Sequence, residues 1–176
     1  MKNYLLKIPF IFFFIVLLIF FYLLIIERDP ANIPSALLNK KIQPFETNSL
    51  FNSKKFISSD EFGKSIVLVN FFATWCKPCR DEHKFIKKFS EKKNLKIIGI
   101  NYKDDSKKTI IWLQKLGNPY SSVAIDKKGE IAINWGVYGI PETFIVDSNG
   151  IIKFRYVGPI TNKVYKKFNL LIDKIN

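Results

Sequence analysis

The sequence predicts a mixed α/β domain, a central sheet with helices on both faces, behind one amino-terminal apolar helix. Two observations point to the sheet and a third to the helix. Ile66–Phe72 (IVLVNFF) and Leu95–Tyr102 (LKIIGINY) are short apolar runs, the pattern of strands buried on both faces. Each is followed by a segment with apolar residues at helical spacing, and strand–helix–strand alternation implies parallel pairing through right-handed crossovers. Residues 8–26 are 19 consecutive uncharged residues, enough for a helix of ~28 Å against a hydrocarbon core of ~30 Å.

Lys2 and Lys7 precede that stretch, and Glu27, Arg28 and Asp29 follow it. The positive-inside rule puts the amino terminus in the cytoplasm and everything after residue 30 outside. The run exceeds the ~7–15 residues of a signal-peptide core and no small-x-small cleavage site follows, so an uncleaved anchor is expected. The expected organisation has three parts. Residues 1–29 form a cytoplasmic terminus and a single-pass signal anchor. Residues 30–40, with Pro30, Pro34 and Ser35, form a linker, and residues 41–176 form the exported domain.

Within the domain, residues 42–51 read as an edge strand or hairpin, because Pro44 is tolerable only at an edge. After the first buried strand a helix is expected over residues 76–93, with Phe85, Ile86 and Phe89 on one face. After the second, Ser106 can cap a helix carrying Ile110, Ile111, Leu113 and Leu116, and Gly117 can stop it. Residues 121–126 read as a third strand and 129–136 as a short helix. Residues 143–147 and 151–157 flank Ser-Asn-Gly, a hairpin signal, and 161–175 form an amphipathic closing helix.

Composition narrows the function classes. Hydrophobic residues make up 48% and charged residues 24%, which excludes a disordered chain, and 8 Gly with 8 Pro excludes a collagen-like one. The net charge is +13, and 25 of the 28 basic residues are lysines scattered along the chain. No basic tract stands out, and export separates the domain from nucleic acid, so a nucleic-acid partner is not expected. Two cysteines cannot fill a four-cysteine zinc site, and His83 is the only histidine. His83 is expected as a solvated surface residue, and no metal is expected.

The two cysteines stand in Trp75-Cys76-Lys77-Pro78-Cys79, directly after a buried strand and at the start of a helix. A C-x-x-C at that junction is a redox signal. Cys76 would sit at the helix amino terminus, where free N–H groups and the helix dipole stabilise a thiolate. It is the expected exposed nucleophile, and Cys79, one turn on and more buried, resolves the mixed disulfide. Pro78 suits the first helical turn. A purely structural disulfide is the alternative, but a loop this short constrains little of the unfolded chain. Heme attachment would need a histidine where Arg80 stands. Pro141, just before a predicted strand, is a candidate cis peptide.

These residues resemble a family: the membrane-anchored, thioredoxin-like CcmG or DsbE proteins of cytochrome c maturation. FFATWCKPC (71–79) and Ile140-Pro141 carry the general thioredoxin-like match. Cys79-Arg80-Asp81-Glu82-His83, Asn101-Tyr102-Lys103-Asp104-Asp105, residues 116–120 and GVYGIPETF (136–144) carry the narrower one. The resemblance implies a thioredoxin-like fold with Pro141 cis and facing the cysteine pair. It implies that Glu142 makes the site acidic and that Glu82 is the acidic group near the pair. Tyr138, Trp75, Asp104 and Asp105 become candidates for a substrate groove.

The resemblance further implies a periplasmic reductant with no cofactor beyond the Cys76–Cys79 disulfide. Its substrate would be apocytochrome c, or a maturation partner, kept with its heme-binding C-x-x-C-H cysteines as thiols. Its electrons would come from a DsbD- or CcdA-type membrane transporter. Two other readings remain open: an anchored reductant of the TlpA or ResA type serving another target, and a non-catalytic module that binds apocytochrome. Cys76→Ser would abolish function in the enzyme and leave it intact in the binding module.

Overall fold

The structure, a computed structural model, describes residues 7–25, 37–52, 54–63 and 65–175. It divides into two compact units, residues 1–30 and 31–176. In the first, α1 (Ile8–Ile25) is one helix of 18 residues whose described large side chains are mostly exposed. At ~1.5 Å per residue it reaches ~27 Å. Among the described residues no helix is long and apolar enough to cross a membrane. The membrane span expected over residues 8–26 is thus not borne out among the described residues, which include Ile8–Ile25 but not Ile26.

The second unit is built on a five-stranded mixed sheet of β3 (Ile66–Phe72), β4 (Leu95–Tyr102), β5 (Ser122–Asp126), β6 (Glu142–Val146) and β7 (Ile152–Val157), in the spatial order β5-β4-β3-β6-β7. β4 runs parallel to β3 and to β5, while β6 is antiparallel to β3 and to β7. The expected edge element at 42–51 is a small separate hairpin, β1 (Glu46–Asn48) against β2 (Phe56–Ser58), joined to β5 by a bridge from Ser49 to Ala124. Residues 30–36 of the expected linker lie outside the described residues. Its last residues are already tied to the sheet, with the Asn39 N–H donating to the Ile152 carbonyl and the Ile152 N–H to that of Lys40.

All seven residues of β3 are buried, which is why its sequence runs apolar without alternation. The strand's two faces feed two cores. Leu68 and Phe72 pack with Phe85, Ile86 and Phe89 of α2 (Lys77–Ser90), Trp112 and Leu113 of α3 (Ser106–Leu116) and Phe168 of α5 (Asn162–Ile175). Val67, Val69 and Phe71 pack with Ile131 and Trp135 at α4 (Glu130–Asn134) and with Ile57 and Phe62. Burying a side chain such as Ile86 or Phe168 contributes roughly 1.5–3 kcal/mol. The cap of α3 lies one residue earlier than expected: the N-cap is Asp105, whose carboxylate accepts the Lys108 N–H, and Ser106 is the first residue of the helix. Gly117 stops the helix at φ 88°, a conformation that favours glycine.

Candidate active site

Parallel β3 delivers the chain to the amino terminus of α2, and the cysteines fall in that turn. Cys76 is the N-cap; its Sγ accepts the Cys79 N–H at 3.1 Å, and Pro78 occupies the first turn, where no N–H is needed. The two sulfurs are bonded as a disulfide with 5.3 Å between the Cα atoms. The Ile140-Pro141 peptide is cis, and the Ile140 carbonyl oxygen lies 3.7 Å from Cys76 Sγ. Contrary to the expectation of an exposed nucleophile, Cys76 is only 5% accessible, and Cys79 2%. The Pro141 loop covers the sulfur that the helix terminus presents. Trp75, next to Cys76 in the chain, and Tyr138, two residues before Ile140, are exposed, at 60% and 73% accessible.

Glu82 stands one turn beyond Cys79 on the buried face of α2. Its Oε1 accepts from Asn70 Nδ2 and its Oε2 from the Ile160 N–H, both at 2.8 Å. Burial raises its pKa from the ordinary 4.5 to about 8, against the two hydrogen bonds, which pull it down. A carboxyl of this kind is largely protonated at neutral pH, yet close enough to ionisation to exchange a proton.

Because the folded-state pKa lies above the unfolded one, the folded protein holds the extra proton between them. The stability this confers is complete below about pH 4.5 and is lost as pH rises to about 8. Glu82→Gln cannot ionise. The variant should therefore gain on its parent through that window by a few kcal/mol, since each tenfold difference in proton affinity is worth ~1.4 kcal/mol, and gain no further above it. Urea unfolding of both oxidised proteins across the range checks this, and parallel curves contradict it.

Glu142 does not make the site acidic. In β6 it pairs with Phe71 and shares the face of Phe144, the face opposite α2 and the cysteines. Its carboxylate is fully buried and ion-paired with Arg155, whose Nε and Nη2 both donate to Oε2 at 2.8 Å. Its Oε1 accepts the N–H groups of Tyr138 and Gly139 at 2.8 and 3.3 Å. Arg155 Nη2 also donates to the Gly136 carbonyl, and its guanidinium lies 4.8 Å from the centre of the Tyr138 ring. Burial raises the Glu142 pKa, while the loop amides and Arg155 act the other way. The pair pins the loop that carries Ile140 and Pro141.

Asp104 and Asp105 both have local structural roles. Asp104 accepts the Thr74 N–H at 2.6 Å and the Thr74 hydroxyl at 3.0 Å, so it fixes the turn just before the cysteines. Asp105 caps α3, and the Lys108 N–H it accepts is the main reason its pKa falls. Both carboxylates are held by backbone N–H groups, Asp104 partly buried and Asp105 exposed. Trp75 donates its indole N–H to the Lys103 carbonyl at 3.3 Å. His83 is a buried residue rather than a surface one: Nε2–H donates to the Gly117 carbonyl at 2.8 Å and the ring packs on Trp112. Its burial lowers its pKa. Among the described residues no group of three or more His, Cys, Asp or Glu could hold a metal ion.

Sequence reasoning missed Asn70, Tyr120, Thr143 and Arg155. The available signals were one polar residue inside the apolar run of β3 and one of only three arginines in the chain.

A reversible disulfide held this way does one kind of work: it opens or closes a partner's disulfide by way of a mixed disulfide. The fold and the pair define the class of thioredoxin-like thiol–disulfide oxidoreductases. Residues 38–169 match the Redoxin family model. The thiol:disulfide interchange protein DsbE of Escherichia coli K12 is 43% identical over 141 residues, covering 79% of this chain and 75% of that protein. The thiol:disulfide interchange protein CycY of Rhizobium leguminosarum bv. viciae is 42% identical over 132 residues, covering 75% and 71%. The chain belongs to the DsbE family of thiol:disulfide interchange proteins. Solved structures share its fold at lower identity. A DsbF homologue from Corynebacterium diphtheriae has a TM-score of 0.70 at 17% identity, over 85% of this chain and 95% of that one. A thioredoxin-family thiol:disulfide interchange protein from Chlorobium tepidum has 0.64 at 22%, over 81% and 99%.

Proposed function

We propose that this chain is a periplasmic reductant of cytochrome c maturation, held at the inner membrane by residues 8–26, with the catalytic domain outside. The observation that carries the reading is the Cys76–Cys79 disulfide at the α2 terminus, beside the Ile140 carbonyl, in a member of the DsbE family. The uncharged run and its flanking charges support the anchor.

In the reduced protein, the Cys76 thiolate attacks one sulfur of the partner's disulfide and releases the other as a thiolate. The Cys79 thiol then gives its proton to Glu82 in its ionised form and attacks Cys76 Sγ. The second partner sulfur leaves, both partner thiolates take up protons, and two electrons have passed to the partner. Burial of both sulfurs withholds water from the Cys76 thiolate and so opposes strong stabilisation of the reduced form, the feature that makes an oxidant. Glu142 adds no negative charge beside Cys76, because Arg155 holds it on the other face. A DsbD- or CcdA-type transporter would return the electrons, and the substrate would be the C-x-x-C-H cysteines of apocytochrome c or of a maturation partner.

Cells carrying Cys76→Ser as their sole copy should lose c-type cytochromes, and a small thiol in the medium should restore them. Cytochrome levels that stay normal in the variant would contradict the assignment.

A further inference from the structure

Behind the disulfide, the buried polar groups meet around Asn70. Its amide nitrogen donates to Glu82 Oε1 at 2.8 Å and to Thr143 Oγ1 at 3.1 Å, while its amide oxygen accepts the Tyr120 hydroxyl at 2.8 Å. Turning the amide over would place its oxygen against Glu82 and its nitrogen against Tyr120. The two orientations are not equivalent. In the first, an N–H faces the carboxyl and favours its ionised form. In the second, an oxygen faces it, accepts from the protonated acid and repels the carboxylate. The second also leaves the Tyr120 hydroxyl proton, deep in the core, without the acceptor it now has, a strongly unfavourable arrangement.

The fold makes room for this tyrosine. Asn70 pairs across the sheet with Gly99. A Cβ at Gly99 would lie 2.9 Å from the Phe72 ring and 3.0 Å from the Tyr120 ring. Glycine lets Tyr120 lie on the strand, stacked on Phe72 at 4.8 Å, with its hydroxyl at Asn70. Burial first, and the nearby Glu82 second, raise the Tyr120 pKa well above 10, so the hydroxyl remains a donor.

We propose that Tyr120 is a positioning residue for thiol–disulfide exchange: its hydroxyl claims the Asn70 oxygen, turns the Asn70 N–H to Glu82, and keeps that carboxyl able to take up and release a proton beside Cys79. Among the described residues, Glu82 accepts from Asn70 of β3 and from the Ile160 N–H of the segment before α5, with Cys79 one turn back on α2; Tyr120, from the segment before β5, reaches it through Asn70 and feels its charge. Thr143 of β6 meets it through Asn70. The titratable group among these is Tyr120, since Cys79 is held in the disulfide, and His83 packs against the Tyr120 ring with 6.5 Å between ring centres.

The proposal deepens the reading of Glu82 as the Cys79 proton acceptor, but its first readout does not depend on that reading. In the oxidised 176-residue chain in detergent, the side-chain carboxyl carbon of Glu82 is titrated by NMR. Tyr120→Phe should move the midpoint up by ~1 pH unit, a roughly tenfold drop in the ionised fraction at neutral pH. The pH profile of mixed-disulfide resolution should move with it. An unmoved midpoint overturns the proposal. A moved midpoint with an unmoved exchange profile upholds the orientation by Tyr120 and instead overturns the role of Glu82 as acceptor. The parent protein gives a second test that needs no variant. The Asn70 side-chain N–H protons should show cross-relaxation to the Glu82 methylene and Thr143 methyl groups. Cross-relaxation to the Tyr120 ring in their place overturns the proposal.

Discussion

Cys79→Ser is expected to turn the protein into a trap. The attacking sulfur, Cys76, is the N-cap of α2 and sits beside the Ile140 carbonyl, so the first step of exchange survives the substitution. The resolving sulfur is gone, and the partner stays bound through a disulfide to Cys76. A covalent adduct should accumulate that a strong thiol reductant dissolves. Cys76→Ser should form no adduct, and its exchange rate should fall by roughly 10³-fold or more, the scale of losing a catalytic nucleophile. Non-reducing electrophoresis separates these results. An adduct in Cys76→Ser and none in Cys79→Ser would reverse the roles of the two cysteines.

Arg155→Met should be the most damaging change outside the cysteines. Arg155 is 6% accessible and its side chain lies against a carboxylate that no solvent reaches. Removing one partner of such a pair leaves a buried charge unmet and costs about 3–5 kcal/mol, whereas an exposed pair is worth ~0–1 kcal/mol. The substitution also removes the bond to the Gly136 carbonyl, which frees the loop that carries Ile140 and Pro141. Under the proposed function a partner protein docks beside that loop, so exchange with a protein disulfide should fall further than exchange with a small disulfide. Glu142→Gln added to Arg155→Met should recover part of the stability, because the orphaned charge is gone. Urea unfolding of the parent and both variants measures this, and a loss in Arg155→Met no larger than that of an exposed pair contradicts it.

The sequence was most legible where one residue's environment decides its type. Ile66–Phe72 and Leu95–Tyr102 are strands to the residue, because both faces of a central strand must be apolar. The cysteine pair and Pro141 were legible because their chemistry is tied to their own position. Glu142 was not, because its partner is set by strand register. β7 brings Arg155 against it from 13 residues away, and strand alternation turns it from the cysteines. Tyr120 and Asn70 are 50 residues apart, joined only when β4 lies beside β3. For His83 a signal was present: Cys79, Glu82, His83 and Ile86 follow helical spacing on one buried stripe, so the lone histidine belonged to the core face.

The reduction potential of the Cys76–Cys79 pair, set by equilibration of the whole chain with dithiothreitol or glutathione buffers, tests most directly whether this protein gives electrons to its partners. A value near thioredoxin's ~−270 mV, well below the ~−120 mV of a strong periplasmic oxidant, is the expected result. A value at the oxidant end would contradict the assignment and make the chain a donor of disulfides.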